Sequence, residues 1–409
     1  MACSRVSGAF LLLLMLLVSC SHDPVSLKVK PDVIEKGDTA RKALLVYMMA
    51  ENSLSNYASY DVEEILKAVP DVPRDCRLFV YVDDRSHPVL TQYFRLTNGE
   101  TGNSNHVVFA EDICSSDTAA LGKVLDYILD DYPAESLDVV MWSHANGWLR
   151  APLYAAPQRS VGIDNGNNSY SNTITKTIEM EELAALLKRL PTKVNRLMFD
   201  ACFMQCAESS YALRDAAEWI IASPAEIPGD GADYATLVPA FFMSDGPEEL
   251  IDLYIKAYED KYAGAVLSAV HAKSMQHLAD VTYSYVVKYF NIDRKRDYAD
   301  ADVFSYLPGG KYSASVTYPS YYDMNALMRK YLTDSEYAHW REALDKAVPC
   351  SGASIRWYSA VCGRYIEYRY VGSAISVYLP QDYSRNEKFN ADFRTTEWYS
   401  AAGWQAAGW

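Results

Sequence analysis

The sequence predicts an α/β fold of caspase-like layout, in which helices cover both faces of a mostly parallel sheet. Short apolar runs alternate with helical segments over residues 41–245, and this alternation is typical of parallel sheets. Several runs are apolar throughout, as expected for strands that are buried on both faces. Two runs, 137–144 and 194–202, stop at residues with reactive side chains, and ligands of open α/β sheets bind at that end of the strands.

The elements follow one another in a regular order. A buried strand (43–49) precedes a helix that begins after Asn52 and Ser53, and the Asn98-Gly99 pair predicts a turn between short strands. The helix at 117–129 carries apolar residues at helical spacing. The other predicted elements are the strands 77–83, 91–96, 107–109, 137–143, 194–200 and 219–222, and the helices 180–190 and 204–217.

The pattern is less regular beyond residue 245. Helices are predicted at 248–262, 274–289 and 324–331, and strands at 265–270 and 373–378. We interpret residues 246–409 either as an extension built onto the same sheet or as a small second domain.

The first residues are typical of an export signal rather than of the fold. Arg5 precedes a short apolar run, and the segment that ends at Cys20 resembles a bacterial lipobox. The resemblance implies that residues 1–19 are removed and that Cys20 is lipidated, with 20–40 as a tether. The alternative is an ordinary secretory peptide. We therefore expect a lipid-anchored protein of the bacterial cell envelope, in the outer membrane, the periplasm or at the cell surface.

Charge and cysteine content narrow the class of partner. The net charge of −15 argues against nucleic acid and is compatible with basic substrates. Export allows disulfides, and two candidate pairs are Cys350 with Cys362 and Cys76 with Cys114. No clustered cysteines or histidines have zinc-site spacing.

The two reactive strand ends predict a cysteine nucleophile. His144 and Cys202 would lie on one rim of the sheet. A helix that begins directly after Cys202 would lower the pKa of its thiol. The alternative is that both are structural, since free cysteines are among the most buried residues.

Three motifs identify a family. They are residues 47–52 (YMMAEN), 143–148 (SHANGW) and 199–204 (FDACFM). In this order they resemble the clostripain (C11) family of cysteine peptidases, in the caspase, gingipain and legumain clan. The resemblance covers residues 43–237, more weakly also 372–379, and implies a caspase-like fold.

The resemblance implies a role for each matching residue. Cys202 matches the nucleophile and His144 its catalytic partner, while the N–H groups of Cys202 and Ala145 would bind the oxyanion. Asp200 matches the acid at the base of the pocket for a basic side chain. Asp230 is a second candidate pocket acid, although a turn residue is an equal interpretation. We expect an endopeptidase that cleaves proteins or peptides after Arg or Lys.

One position departs from the family pattern. The glycine that follows the catalytic histidine is Ala145 here, and alanine disfavours a positive φ. If the turn needs that conformation, the oxyanion hole is distorted. The alternative function is therefore a catalytically weak homologue that binds peptides or surface partners.

The segment 149–177 carries two further expectations. It is long and polar, so it is a natural cleavage site, and the resemblance implies self-processing, for which we choose Arg159 over Arg150 and Lys176. The resemblance also allows calcium. Asp164, Asn165, Asn167 and Asn168 offer oxygen ligands for such a site, but they do not have EF-hand spacing. We expect that the enzyme requires no cofactor, and a calcium site stays open.

Overall fold

The computed structural model describes residues 31–84, 88–149, 161–166, 177–259, 261–294, 303–313, 317–368, 372–382 and 386–409. Its strands are β1 (Ala40–Met49), β2 (Cys76–Asp83), β3 (Val89–Arg95), β4 (Thr101–His106), β5 (Ala134–Trp142), β6 (Val194–Asp200), β7 (Ala217–Ala222), β8 (Val266–His271), β9 (Ser305–Leu307), β10 (Gly310–Lys311), β11 (Thr317–Tyr318), β12 (Tyr321–Asp323), β13 (Cys350–Ala353), β14 (Arg356–Ser359), β15 (Arg364–Glu367) and β16 (Ser376–Val377).

The helices are α1 (Ser55–Ala68), α2 (Thr118–Asp131), α3 (Met180–Lys188), α4 (Ala207–Ala212), α5 (Tyr234–Met243), α6 (Glu248–Lys256), α7 (Ser274–Tyr289), α8 (Met324–Tyr331), α9 (Asp334–Ala347), α10 (Glu387–Phe393) and α11 (Glu397–Ala401). Short 3-10 helices lie at Val69–Asp71 and Ile292–Arg294. None of the helices in the described ranges has the length and apolar character needed to cross a membrane.

The central sheet has the order β13-β8-β7-β6-β5-β1-β2-β3-β4. Its middle strands β7, β6, β5, β1 and β2 are parallel to one another. The hairpin of β3 and β4 extends one edge, and β8 and β13 extend the other in antiparallel fashion. The predicted α/β class is confirmed. The region after residue 245 contributes two strands to this same sheet.

Helices bury both faces of the sheet, as the apolar strands require. Leu45 and Tyr47 of β1 pack in the cluster that includes α2, α3, α4 and α7. Their neighbours Leu44 and Val46 point the other way, into the cluster that includes α1, α5 and α6. Successive side chains of a strand alternate between faces, so one apolar run serves both cores.

Several predicted elements differ from those observed. The strand predicted at 107–109 is wrong, because β4 lies earlier and has the polar sequence TGNSNH. An edge strand needs no apolar face, so periodicity did not reveal it. The helix α5 was missed because it is apolar nearly all round and contains Pro239. Helix α4 has only six residues, against fourteen predicted at 204–217.

Neither candidate disulfide forms, since Cys76, Cys114, Cys350 and Cys362 are all free thiols. Cys350 packs in the cluster with α1, α5 and α6, whereas Cys362 packs against the other cluster. The sheet therefore lies between the members of that pair. The Cys114 sulfur instead lies 3.4 Å from the Ser116 hydroxyl.

The end of the predicted tether belongs to the folded domain. Asp32 donates its N–H to the carbonyl of Arg95 at 2.6 Å, and its carboxylate pairs with the Arg95 guanidinium. The buried Arg77 donates to the carbonyl oxygens of Glu35 and Asp38. Residues from 31 onward therefore pack against β3 and β2, while Cys20 lies outside the described residues.

Candidate active site

Two neighbouring parallel strands bring His144 and Cys202 to one rim of the sheet. Trp142 of β5 pairs in register with Asp200 of β6. His144 and Cys202 each follow two residues later in the chain, so the register places the two loops side by side. Both residues line one cavity of about 530 Å³, together with Ala145, Asp200, Glu226 and Tyr318.

Cys202 lies in a turn, not at the start of a helix. The following residue, Phe203, has a φ of 62°, and α4 begins only at Ala207. The predicted helix N-terminus at the thiol is therefore wrong, and with it the predicted lowering of the thiol pKa. Burial raises the pKa of Cys202 to about 12, and the negative charges of Glu226 and Asp200 add to the rise.

The Cys202 sulfur also has backbone partners in the loop after β7. It accepts a hydrogen bond from the Ile227 N–H at 3.3 Å and lies 3.8 Å from the Ile227 carbonyl oxygen. Burial therefore favours the protonated thiol of Cys202 over the thiolate in this conformation.

His144 has a partner that the sequence did not suggest. Its Nε2 lies 2.8 Å from the hydroxyl of Ser53, in the loop between β1 and α1. Its carbonyl oxygen accepts the N–H of Gly162 at 3.1 Å. Ser53 follows the family-like motif 47–52 directly, so its position after a buried strand was the available signal.

The turn after His144 does not need a positive φ at Ala145. Among the described residues, the non-glycine positions with positive φ are Phe203 and Ala374. The left-handed residue of this turn is Gly147, with a φ of 68°. A Cβ at Gly147 would lie 2.7 Å from the Phe203 carbonyl oxygen, so glycine is required there and alanine is tolerated at 145.

Asp200 is a buried carboxylate in the cavity wall. Its Oδ2 accepts the N–H of Ala232 at 3.0 Å and the hydroxyl of Tyr234 at 2.9 Å, and the buried Tyr254 hydroxyl also stabilises its charged form. Burial raises the pKa of Asp200, against the opposing effect of the hydrogen bonds. Nearby, burial and the charge of Asp200 raise the pKa of Asp61 to about 8.

Asp230 does not line the cavity that Asp200 lines. It is exposed, its carboxylate lies 3.9 Å from the Lys261 ammonium, and the cavity lining includes Gly229 and Gly231 but not Asp230. The exposed position fits the turn interpretation of this residue. The predicted self-cleavage residue Arg159 lies outside the described residues.

The C-terminal region supplies a wall that sequence reasoning missed. The turn between β14 and β15 contributes Ala360 and Val361 to the cavity. Glu226 holds this turn, because its carboxylate accepts the Ser359 hydroxyl and the Val361 N–H. Ser359 lies 133 positions after Glu226 in the chain. No local sequence pattern could therefore predict that this hairpin contacts the site.

A second acidic group lies on the same rim of the sheet. Glu51 follows β1, Asp83 ends β2, and Asp164 follows the His144 turn. One carboxylate oxygen from each lies within 4.8 Å of the others, and all three are buried. Of the predicted calcium ligands only Asp164 belongs to this cluster. Asn165 instead donates its N–H to the Glu51 carbonyl, and Asn167 and Asn168 lie outside the described residues.

Comparisons with known proteins agree on one family. The family model for Peptidase_C11, the clostripain family, matches residues 46–409. A search of curated protein sequences finds no match.

Solved structures cover most of the chain. An inactive zymogen of a C11 protease from Parabacteroides distasonis is 24% identical, with a TM-score of 0.74 over 90% of this chain and 99% of that one. A secreted C11 cysteine protease from Bacteroides thetaiotaomicron, bound to an irreversible peptide inhibitor, is 26% identical. Its TM-score is 0.74, over 89% of this chain and 99% of that one.

Proposed function

Because this chain belongs to the clostripain family and is a cysteine peptidase, we propose that it cleaves peptide bonds after arginine or lysine through Cys202 and His144. The observation that carries the proposal is one cavity, lined by a thiol, an imidazole and a buried carboxylate on adjacent strand ends. The thiol and the imidazole are the groups that nucleophilic catalysis needs, and the carboxylate can bind a cationic side chain beside them.

The chemistry uses groups of the protein alone. The Cys202 thiol gives its proton to His144 as the sulfur attacks the carbonyl carbon, and backbone N–H groups at Cys202 and Ala145 bind the resulting oxyanion. His144 then protonates the leaving amine as the C–N bond breaks. Water hydrolyses the thioester in the last step, so we propose that no cofactor takes part in the reaction itself.

Asp200 supports a preference for basic substrates. Its buried side chain lines the cavity. A substrate guanidinium or ammonium that enters the cavity would offer this carboxylate a charge-assisted hydrogen bond. The same positive charge would offset the negative field that raises the Cys202 pKa. Substrate binding would thus favour the thiolate.

The raised thiol pKa also supports a resting form that needs activation. We propose that the uncleaved chain is such a resting form and that cleavage after Arg159 activates the peptidase. Arg159 lies between His144 and Cys202 in the sequence, so a cut there would place the two catalytic residues on separate chains. Intact-mass measurements should find the cut in the wild type and not in Cys202→Ala. A fully active, uncut wild type contradicts this step.

Hydrolysis of fluorogenic peptides ending in Arg or Lys tests the main proposal. The wild type should release the fluorophore, and Cys202→Ala and His144→Ala should not. Cys350→Ala is the matched control, because it removes a free thiol from β13, outside the cavity lining. Equal rates for the wild type and Cys202→Ala would refute the mechanism. Peptide binding without hydrolysis by any variant would favour a binding protein.

We also propose that the chain is anchored in the bacterial envelope by a lipid on Cys20. The support is the lipobox-like sequence that ends at this cysteine. Labelled palmitate should be incorporated into the wild type and not into Cys20→Ala. Release of both proteins into the medium would contradict the anchor.

A further inference from the structure

The outer face of the hairpin of β14 and β15 carries a group of exposed aromatic side chains. Tyr358 and Tyr365 are cross-strand neighbours, with ring centroids 5.4 Å apart. Tyr262, from the segment between α6 and β8, packs edge-on against Tyr365 at 5.0 Å, and the Arg356 guanidinium lies 4.5 Å from the Tyr365 ring. Tyr262 is 79% exposed and Tyr358 is 42% exposed. Contiguous exposed groups of this kind mark binding surfaces, and we call these four residues the hairpin patch.

The hairpin patch adjoins the catalytic cavity through two segments of the chain. Ala360, in the turn of the same hairpin, lines the cavity, and Tyr358 precedes it by two residues, roughly 7 Å along an extended strand. In the second segment, the Tyr258 hydroxyl donates to the carbonyl oxygen of Gly231, which also lines the cavity. Tyr262 follows Tyr258 by four residues in the chain. A polypeptide that leaves the cavity over this wall therefore reaches the patch within a few residues.

The hairpin also differs in charge from the chain as a whole. Arg356 and Arg364 are both exposed, and neither takes part in the salt bridges among the described residues. The cross-strand partner of Arg356 is Glu367, the one acidic residue in the sequence 356–367. The whole chain has a net charge of −15. An acidic polypeptide is therefore repelled by the net charge of the protein and attracted locally by the hairpin.

The size of the cavity requires a long substrate to extend beyond it. A volume of about 530 Å³ encloses a ligand of drug size, whereas an extended polypeptide advances by roughly 3.3 Å for each residue. We propose that the hairpin patch binds the part of a polypeptide substrate that lies outside the cavity, and that it selects a segment with an aromatic and an acidic residue. The aromatic ring would pack on the tyrosines, and the carboxylate would pair with Arg356. This inference rests on the proposed cleavage reaction and adds a second element of substrate selection to it.

Quenched fluorogenic peptides test the selection. Each contains one arginine and, four residues before or after it, either Glu-Tyr or Gln-Ser. The wild type should cleave at least one Glu-Tyr peptide with a kcat/KM about tenfold above that of its Gln-Ser counterpart, because aromatic and ionic contacts both contribute. Added NaCl should reduce this preference, since it screens exposed charges. Equal kcat/KM values for the Glu-Tyr and Gln-Ser peptides would overturn the proposal.

Variants locate the effect on the hairpin. Tyr262→Ala should lower kcat/KM for the preferred Glu-Tyr peptide about fivefold, and Arg356→Gln about threefold at low salt. Both should cleave a single-arginine fluorogenic amide within about twofold of the wild-type rate, because that substrate does not reach the patch. Tyr283→Ala is the matched control, a tyrosine of α7 that is also 42% exposed and lies outside the cavity lining. Losses in Tyr283→Ala as large as those in the patch variants would refute the assignment. Arg356→Gln provides the test if Tyr262→Ala fails to fold.

Peptide binding separates this inference from the cleavage reaction. Fluorescence anisotropy with labelled Glu-Tyr and Gln-Ser peptides uses Cys202→Ala, with and without Tyr262→Ala. Tighter binding of the Glu-Tyr peptide that Tyr262→Ala removes would support the patch even if the wild type hydrolysed no substrate, and only the cleavage reaction would then be wrong. Sedimentation velocity tests a second copy of the chain as the occupant. A dimer that Tyr262→Ala dissociates, with the peptide preference unchanged, would refute the proposed substrate contact.

Discussion

The substitution Asp200→Asn removes the negative charge from the cavity with little change of shape. The amide oxygen can still accept the hydrogen bonds from Ala232 and Tyr234. The other carboxylate oxygen is replaced by an NH2, which cannot accept a hydrogen bond from a substrate cation. Loss of a buried, charge-assisted contact typically costs about 3 kcal/mol. At 1.36 kcal/mol per factor of ten, kcat/KM for arginine peptides should fall about 150-fold.

The assay compares peptides that differ only in the residue before the cleaved bond. The kcat/KM for arginine and lysine peptides should fall in Asp200→Asn, while that for a norleucine peptide should stay within about threefold. Asp230→Asn is the matched comparison, since Asp230 is exposed and lies outside the cavity lining. Equal losses with arginine and norleucine would refute the reasoning, and so would a larger loss in Asp230→Asn.

The raised pKa of Asp200 adds a dependence on pH. Burial favours the neutral carboxylic acid, which binds a cation poorly. The ratio of arginine to norleucine hydrolysis should therefore fall as the pH drops, beginning above the ordinary carboxyl pKa of 3.8. This fall of the ratio at low pH should be absent in Asp200→Asn. A ratio in the wild type that is flat with pH would contradict an ionised Asp200 in the pocket.

Three further substitutions have defined outcomes. Gly147→Ala should lower both the melting temperature and kcat. An alanine in the left-handed conformation costs about 1–2 kcal/mol, and its Cβ would collide with the Phe203 carbonyl oxygen. An unchanged melting temperature and kcat would show that this turn adapts to alanine. Asp61→Asn should stabilise the protein more at pH 8 than at pH 5 in thermal melts. The pKa of Asp61 is raised to about 8 in the folded wild type, which therefore loses stability as the pH rises from 4 to 8. An equal effect of the substitution at both pH values would contradict the raised pKa. Glu226→Gln should shift the alkylation of Cys202 by iodoacetamide to lower pH, because it removes a charge that raises the thiol pKa. A profile that does not move would show that the charge of Glu226 does not raise this pKa.

Much of the fold was predictable because its strands are buried on both faces. Such strands are continuous apolar runs, and β1, β2, β5 and β6 were all predicted close to their observed bounds. Elements whose pattern depends on distant partners were not predictable. The polar edge strand β4 and the nearly all-apolar helix α5 have no periodicity of their own.

The sequence by itself predicted that His144 and Cys202 follow two successive strands and lie on one rim of the sheet, because apolar runs indicate where strands stop. It also determined the family, through three short motifs. Only the tertiary structure decided the state of the thiol. The chain turns at Phe203 instead of starting a helix, and the carboxylates of Asp200 and Glu226 raise the thiol pKa further. The burial of a side chain and the electric field on it depend on residues that are far apart in the chain. A local sequence pattern therefore cannot predict them.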